Sequence, residues 1–297
     1  MASTLIVSIS GIRGIFGSGL DPAILVRFSS AFGTWSKRRV GSHAPRVVVG
    51  RDARVTGSVC SRIVTATLQS TGLDVVDAGL ATTPTVAMAV MEEGAVGGIM
   101  ISASHNPAEW NALKLLNEKG EVLTAAEGDE VLAIADKTEW NWAAYDEIGT
   151  YRERDFLDYH IKRIIGLDFI DPETIAARNL RVVVDAVNSV GGIAIPRLLA
   201  ALGVRKEMIT CLHCEPTGVF EHPAEPLPEN LTGLTGKVAE LGADLGIAVD
   251  PDADRLALVT DGGHYMSEEL TQVVAADFLW KRRSGPFVTN LSSSRAI

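Results

Sequence analysis

The sequence predicts an α/β chain of successive, duplicated α/β/α domains with mixed, mostly parallel sheets. Three observations carry this. Short apolar runs of buried-strand type alternate with longer segments of helical periodicity. A strand–loop–helix–strand order runs from Arg46-Val47-Val48-Val49-Gly50, through a helix from about Ser58 to Ser70, to a strand from Leu73 to Ala78. The same order recurs from Leu180-Arg181-Val182-Val183-Val184-Asp185, through a helix from Ile193 to Leu202, to a strand from Glu207 to Leu212, with a third apparent start at Arg255. The 297 residues suffice for two domains or a little more.

In chain order, Asp21-Pro22 opens a helix, with Asp at the N-cap and Pro at the first helical position. Ile24, Leu25, Phe28, Phe32 and Trp35 fall on one face, and Lys37-Arg38-Arg39 end it favourably for the helix dipole. Arg13, in Gly11-Ile12-Arg13-Gly14, therefore falls in a glycine-flanked loop just before a packed helix. A helix over 84–93, opened by Pro84, leads to the apolar run Gly97-Gly98-Ile99-Met100-Ile101. Ala112-Leu113-Lys114-Leu115-Leu116 is a further strand, interrupted by Lys114 and turned by Asn117 to Gly120. Residues 125–137 are helical, and the Trp- and acid-containing connector 139–150 sets a boundary after residue 151, with a helix from Arg152 to Ile165 opening the next domain.

Glu215 to Asn230 is a long irregular loop in which Glu221–Pro226 is assigned to packing. Strands follow at Ala243–Val249 and Arg255–Thr260, then a hairpin-like turn Asp261-Gly262-Gly263-His264. Ser267-Glu268-Glu269 caps a helix running to Lys281, and Pro286 to Leu291 reads as one more strand. The resulting division is 1–151, 152–257 and 258–297.

Composition narrows the function. With 46% hydrophobic and 22% charged residues the chain is an ordinary globular one. A net charge of −10 argues against a nucleic-acid partner, since phosphate backbones want a basic face. Met1–Ile9 lacks the basic flank of a signal peptide, and no apolar run approaches a membrane span. Three cysteines, Cys60, Cys211 and Cys214, suit a reducing cytoplasm. Cys211-Leu212-His213-Cys214, near His222, has redox or zinc spacing but no second Cys pair, so it reads as a strand end.

Two stretches carry chemistry. Ser102-Ala103-Ser104-His105-Asn106-Pro107 follows the strand at 97–101, at the carboxyl end where α/β sheets bind ligands. Ser104 there is a nucleophile or a phosphate carrier, unless the loop merely reverses the chain. Asp250-Pro251-Asp252-Ala253-Asp254-Arg255 follows another apolar strand, and its alternate carboxylates would point to one side of an extended segment. Their mutual repulsion is removed by a hard divalent cation such as Mg²⁺. An EF-hand fails because Arg255 stands where Gly is needed, and a serine hydrolase fails for want of Gly-x-Ser-x-Gly.

These motifs, with Gly11-Ile12-Arg13-Gly14, Gly50-Arg51-Asp52-Ala53-Arg54 and Asn111-Ala112-Leu113-Lys114 in the same order, resemble the α-D-phosphohexomutase superfamily, which includes the phosphoglucomutases, phosphomannomutases and phosphoglucosamine mutases. Many members have Thr at Ser102 and Gly at Pro251 and Ala253. The resemblance implies a phosphoserine at Ser104 that shuttles phosphate between hexose 1- and 6-phosphates through a bisphosphate. It implies Mg²⁺ held by Ser104, Asp250, Asp252 and Asp254. Lys114 and Arg13 match acid/base or charge-stabilising positions, with Lys114 expected to shift down in pKa where burial or cations crowd it. His105 is a further catalytic candidate, and Arg255 and Asn106 are candidates for phosphate binding.

The family has four domains, so the chain is expected to end inside an incomplete third. Residues beyond about Leu256 would then be loosely ordered or pair with another copy, giving a homo-oligomer. The hexose (glucose, mannose or glucosamine phosphate) stays open, although Thr4 to Gly14 looks most like phosphoglucosamine-type members. Two rival readings are a haloacid-dehalogenase-type phosphatase with Asp250 as nucleophile, and an inactive fragment that binds metal and phosphosugar.

Overall fold

The structure, a computed structural model, describes residues 3–8, 11–40, 45–289 and 293. Two sheets form the frame. In the first, β3 (Arg46–Arg51), β4 (Asp74–Leu80) and β5 (Gly97–Ile101) run parallel at the centre. On one side β6 (Trp110–Leu116), β2 (Gly11–Ile15) and β1 (Ile6–Ser8) follow antiparallel, and on the other β7 (Tyr151–Glu153) pairs parallel with β4. Alternation along these strands divides the core. Val47, Val49, Ile99, Ile101, Leu113 and Leu115 pack with α1 (Pro22–Val40), α2 (Gly57–Ser70) and α4 (Ala125–Lys137). Val48, Val76, Met100 and Leu116 pack on the other face with α3 (Thr83–Glu92).

Side-chain caps fix several helix starts, Asp21 as the sequence predicts. Asp21 Oδ1 accepts from Ile24 N at 2.8 Å, Thr82 caps α3, and Thr124 with Glu127 forms a capping box on α4.

In the second sheet, β8 (Val182–Asp185) lies between parallel partners β9 (Ile209–Leu212) and β10 (Leu245–Val249). Beyond β10, β11 (Leu256–Thr260) and β12 (His264–Met266) complete it antiparallel. Val182, Val184, Ile247 and Val249 pack with α6 (Pro172–Ala177) and α7 (Gly191–Ala201), while Val183 and Ala248 pack with α8 (Thr232–Leu241). Between the sheets, α5 (Leu157–Ile165) packs Leu157 and Ile161 against Ala194 of α7 and also contacts α3. The successive α/β/α architecture predicted above is therefore present twice.

Several expectations are corrected. Residues 11–14 form a strand, not a loop, because Arg13 pairs with Ala112 on β6. The boundary after residue 151 cuts through β7, which belongs to the first sheet, and the helix expected from Arg152 starts at Leu157. The boundary after 257 cuts through β11. That strand pairs over its whole length with β10 in antiparallel sense, so Arg255 starts no third strand–helix–strand unit and residues up to Met266 are held in the second sheet. Ser267 stands at the N-cap of α9 (Glu268–Trp280), but its side chain makes no capping bond. Residues 286–289 form no strand; Asn290, Leu291 and residues 294–297 lie outside the described residues. Along α9 only Ala276 is buried, while Val274, Phe278, Leu279 and Trp280 are exposed. Among the described residues no helix is long and apolar enough to cross a membrane.

Candidate active site between the two sheets

The carboxyl end of β5 opens into the loop that carries Ser104, whose backbone sits in the left-handed region (φ 50°). Two side chains, themselves tied together by Asp52, hold it there. Ser102 Oγ accepts from Ser104 N at 2.9 Å and donates to Asp52 Oδ2 at 2.7 Å. Arg54, fully buried, donates from Nε to Asp52 Oδ2 (3.1 Å). Its Nη2 donates to the carbonyls of Ser104 (2.6 Å) and Asn106 (2.7 Å), and its Nη1 to those of Pro107 (2.6 Å) and Trp110 (3.1 Å). The guanidinium also lies 4.9 Å from the ring centroid of Phe220 in the second domain. A planar fork with five donors is the one side chain able to gather so many carbonyls at once.

Opposite, β10 ends at Val249 and the chain turns tightly, with Ala253 left-handed (φ 53°). This turn, rather than the alternation of an extended segment, brings carboxylate oxygens of Asp250, Asp252 and Asp254 within 4.8 Å of one another. Asp250 Oδ1 accepts from the amides of Asp254 and Arg255, both at 3.1 Å, and its Oδ2 accepts from Ser104 Oγ at 2.6 Å. Asp252 Oδ2 receives Lys114 Nζ at 2.5 Å and the Thr83 hydroxyl, and Lys114 reaches Asp254 Oδ2 at 2.7 Å. Asp252 Oδ1 is buried with no partner among the described residues.

Electrostatics follow from this crowding. Burial, then the neighbouring Asp252 and Asp254, hold the Asp250 carboxyl well above the ordinary carboxylate range. Burial works hardest against an ionised Asp252, but the Lys114 ammonium together with hydrogen bonds from Lys114, Thr83 and Asp250 outweighs it and the carboxyl titrates low. For Lys114, burial favours the neutral amine; Asp252 and Asp254 overcome it and raise the pKa, reversing the downward shift expected from the sequence. The donor set is all oxygen, three carboxylates and a hydroxyl with one buried oxygen unpartnered, which is the chemistry of a hard divalent cation site.

The remaining candidates sit around this core. Register places Arg13 opposite Ala112, on the same sheet face as Lys114; its Nε is buried without a partner among the described residues. His105 Nδ1 is 3.4 Å from Ser104 Oγ, and burial, then the charge of Arg255, pushes its pKa down. Asn106 Oδ1 is buried and unpartnered among the described residues. Arg255 lies 3.4 Å from Glu225 and 3.6 Å from Glu268, so the loop assigned to packing also holds a charge at the site.

Sequence reasoning gave no role to Asp52, Arg54, Ser102 or Thr83. The signal available for the first two was the Asp-x-Arg spacing directly after a buried strand. Thr83 had none, because its partner Asp252 is 169 residues away.

The two halves are sealed by backbone. Ser189 Oγ accepts from Ala53 N (3.2 Å) and donates to Pro251 O (2.6 Å), and a Cβ on Gly218 (φ 72°) would lie 1.9 Å from the Ala53 carbonyl oxygen.

Comparison with known proteins identifies the two domains. Residues 5–142 match the family described as phosphoglucomutase/phosphomannomutase, alpha/beta/alpha domain I, and residues 158–263 match its alpha/beta/alpha domain II. The chain is 36% identical to a phosphoglucomutase/phosphomannomutase of Thermococcus kodakarensis, over 97% of this chain and 62% of that protein. A second protein of that organism, named "Probable phosphoglucosamine mutase", is 35% identical over 97% of this chain and 61% of its own length. The crystal structure of a phosphoglucomutase/phosphomannomutase family protein from Burkholderia thailandensis superposes with a TM-score of 0.78 at 28% identity, covering 93% of this chain and 60% of that one. Parafusin, a phosphoglucomutase from Paramecium, shares the fold with a TM-score of 0.77 at 17% identity, over 93% of this chain and 56% of its own. The chain thus spans about three fifths of the length of the curated relatives it matches.

Proposed function

The chain belongs to the phosphohexomutase superfamily, and from that premise we propose that Ser104 carries a phosphoryl group in the interconversion of hexose 1- and 6-phosphates. The observation that carries this reading is the Ser104 hydroxyl lying 2.6 Å from Asp250 at the edge of an oxygen-only cluster with an unpartnered buried oxygen. Asp250, Asp252 and Asp254 would hold Mg²⁺ together with an oxygen of the Ser104 phosphate; the ion supplies charge neutralisation and Lewis acidity.

The chain's own groups do the rest. The bond from Ser104 Oγ to phosphorus breaks as a sugar hydroxyl bonds to that phosphorus, giving a hexose bisphosphate; return of its other phosphoryl group to Ser104 releases the isomer. Such a transfer asks mainly for positioning and charge complementarity. Arg54 and Ser102 fix the serine backbone. Lys114, kept an ammonium by Asp252 and Asp254, and Arg13 face the developing negative charge. His105, kept neutral by burial and Arg255, is suited to accept the proton of the attacking hydroxyl. Arg255 and Asn106 contribute phosphate contacts. Glucose, mannose and glucosamine phosphates are the substrate class.

The phosphatase reading is disfavoured by Asp250. It is buried and accepts hydrogen bonds on both oxygens, leaving it poorly disposed to attack phosphorus.

The half-reaction tests the proposal without requiring turnover. Incubation with glucose 1,6-bisphosphate and Mg²⁺ should add one phosphate to the chain, mapped to Ser104, and Ser104→Ala should take up none while staying folded. Label on Ser102 or Asp250 in the parent would overturn the assignment.

A further inference from the structure

A second polar cluster lies outside the site just described. Asp185 ends β8, and register sets it beside Ala248, two residues before Asp250 on the neighbouring strand. Its side chain is buried, and two histidines converge on it. His213 Nδ1 is 3.1 Å from Asp185 Oδ2, and His222 Nε2 is 3.1 and 3.2 Å from the two carboxylate oxygens. Neither imidazole is fully covered, the side chains being 30% and 17% exposed.

The protonation pattern is what makes this cluster informative. His222 Nδ1 lies 2.8 Å from the Pro223 carbonyl, which can only accept, so Nδ1 carries a hydrogen. In a neutral ring Nε2 is then a bare lone pair, aimed at a carboxylate that also only accepts. Two acceptors at hydrogen-bond distance need something positive between them: a proton or a metal ion. A backbone carbonyl fixing one ring nitrogen so that the other points at the ion is the arrangement that metal-binding histidines use. The spacing fits as well. Ligands about 2.0–2.1 Å from a tetrahedral ion stand roughly 3.3 Å apart, close to the separations here.

We propose that Asp185, His213 and His222 form a second cation site, for a transition ion of the zinc class, with solvent completing the coordination. Two imidazoles and one carboxylate select against Mg²⁺, which takes oxygen. This separates the site chemically from the carboxylate cluster one strand away. Asn188 ties the intervening segment down, its amide donating to the His213 carbonyl (2.6 Å) and its side chain to the Val219 carbonyl (3.0 Å), and Phe220 then lies against Arg54. An ion here would therefore brace the loop that touches the Ser104 support.

The test is calorimetric titration of Zn²⁺ into the full chain with Mg²⁺ in excess, repeated with Co²⁺ by absorption spectroscopy. One equivalent should bind, with a four-coordinate cobalt spectrum and no thiolate charge-transfer band. His222→Gln and His213→Asn should each weaken binding at least tenfold; Asn is chosen because His213 is left-handed (φ 47°). Thermal melts confirm that both variants fold, and Asp185, which also caps the Val187 amide, is left intact. Four results would overturn the site: no binding, which leaves a proton bridging His222 and Asp185; binding unchanged in both variants; a thiolate band; or loss of binding only on replacing Cys211 and Cys214.

Discussion

Arg54→Lys isolates the guanidinium fork from its charge. The parent side chain reaches five acceptors: Asp52 Oδ2 and the carbonyls of Ser104, Asn106, Pro107 and Trp110. An ammonium offers three donors, so at least two of these acceptors lose their partner in a buried to part-buried site. At about 1–3 kcal/mol for each orphaned group, the loss of two should cost about 2–6 kcal/mol. Part of that loss falls on Ser104, whose left-handed backbone stores roughly 1–3 kcal/mol of strain and persists only while its surroundings enforce it. Released, Ser104 should relax to negative φ and carry its hydroxyl away from Asp250. Urea unfolding measures the first effect. The second is read as at least a tenfold slower phosphorylation of Ser104 by glucose 1,6-bisphosphate, under conditions where the variant is folded by circular dichroism. Stability within ~0.5 kcal/mol of the parent, together with normal phosphorylation, would refute the argument, because a point charge would then serve as well as the fork.

Asp252→Asn removes a ligand charge at nearly constant shape, so Mg²⁺ affinity should fall in titration calorimetry with the fold intact; unchanged affinity would place the ion elsewhere. Lys114→Met strips buried Asp252 of its counter-charge, a loss of about 3–5 kcal/mol in the metal-free protein, and saturating Mg²⁺ should restore most of it, giving a larger metal-induced rise in melting temperature than in the parent. Mg²⁺ affinity should weaken as pH falls, since the raised pKa of Asp250 means that a proton competes with the ion. The sign is opposite to that of a salt-bridged carboxylate. In the metal-free protein Asp250 contributes stability at pH below its unfolded value and loses it as pH rises through its folded value. Calorimetry at two pH values in buffers of different ionisation enthalpy checks the proton release.

Much of this was legible in the sequence, for identifiable reasons. The buried strands around Val47–Val49 and Val182–Val184 are apolar over their whole length because helices cover both faces, and such runs are hard to mistake. Asp21 marks its helix start through a bond only three residues long. The failures are non-local. Whether Gly11–Gly14 is a loop or a strand depends on an edge offered by β6, about a hundred residues later. Whether β11 begins a new unit depends on its direction relative to β10, and hydrophobic periodicity is blind to direction. The candidate residues could be found because their types are costly in a core, but their partners could not. The sign of the Lys114 shift is not legible locally, because a lysine's pKa is set by what it meets, and Asp252 lies 138 residues away.

That separation bears on how the site forms. Asp252 is wholly buried, yet the groups that stabilise its charge, Lys114 and Thr83, belong to the first sheet's layers, while its own turn belongs to the second. Neither domain alone satisfies it. Docking the domains thus removes a carboxylate from water and supplies its counter-charge in the same step. The same docking brings Ser104 onto Asp250 and Gly218 onto the Ala53 carbonyl. An ion that takes Ser104 as well as the three carboxylates would stabilise the docked arrangement by RT ln(1 + [ion]/Kd), roughly 2.7 kcal/mol at a hundredfold excess over Kd. Local charge chemistry and domain orientation are in this way one equilibrium, with the Ser104 hydroxyl placed at its centre.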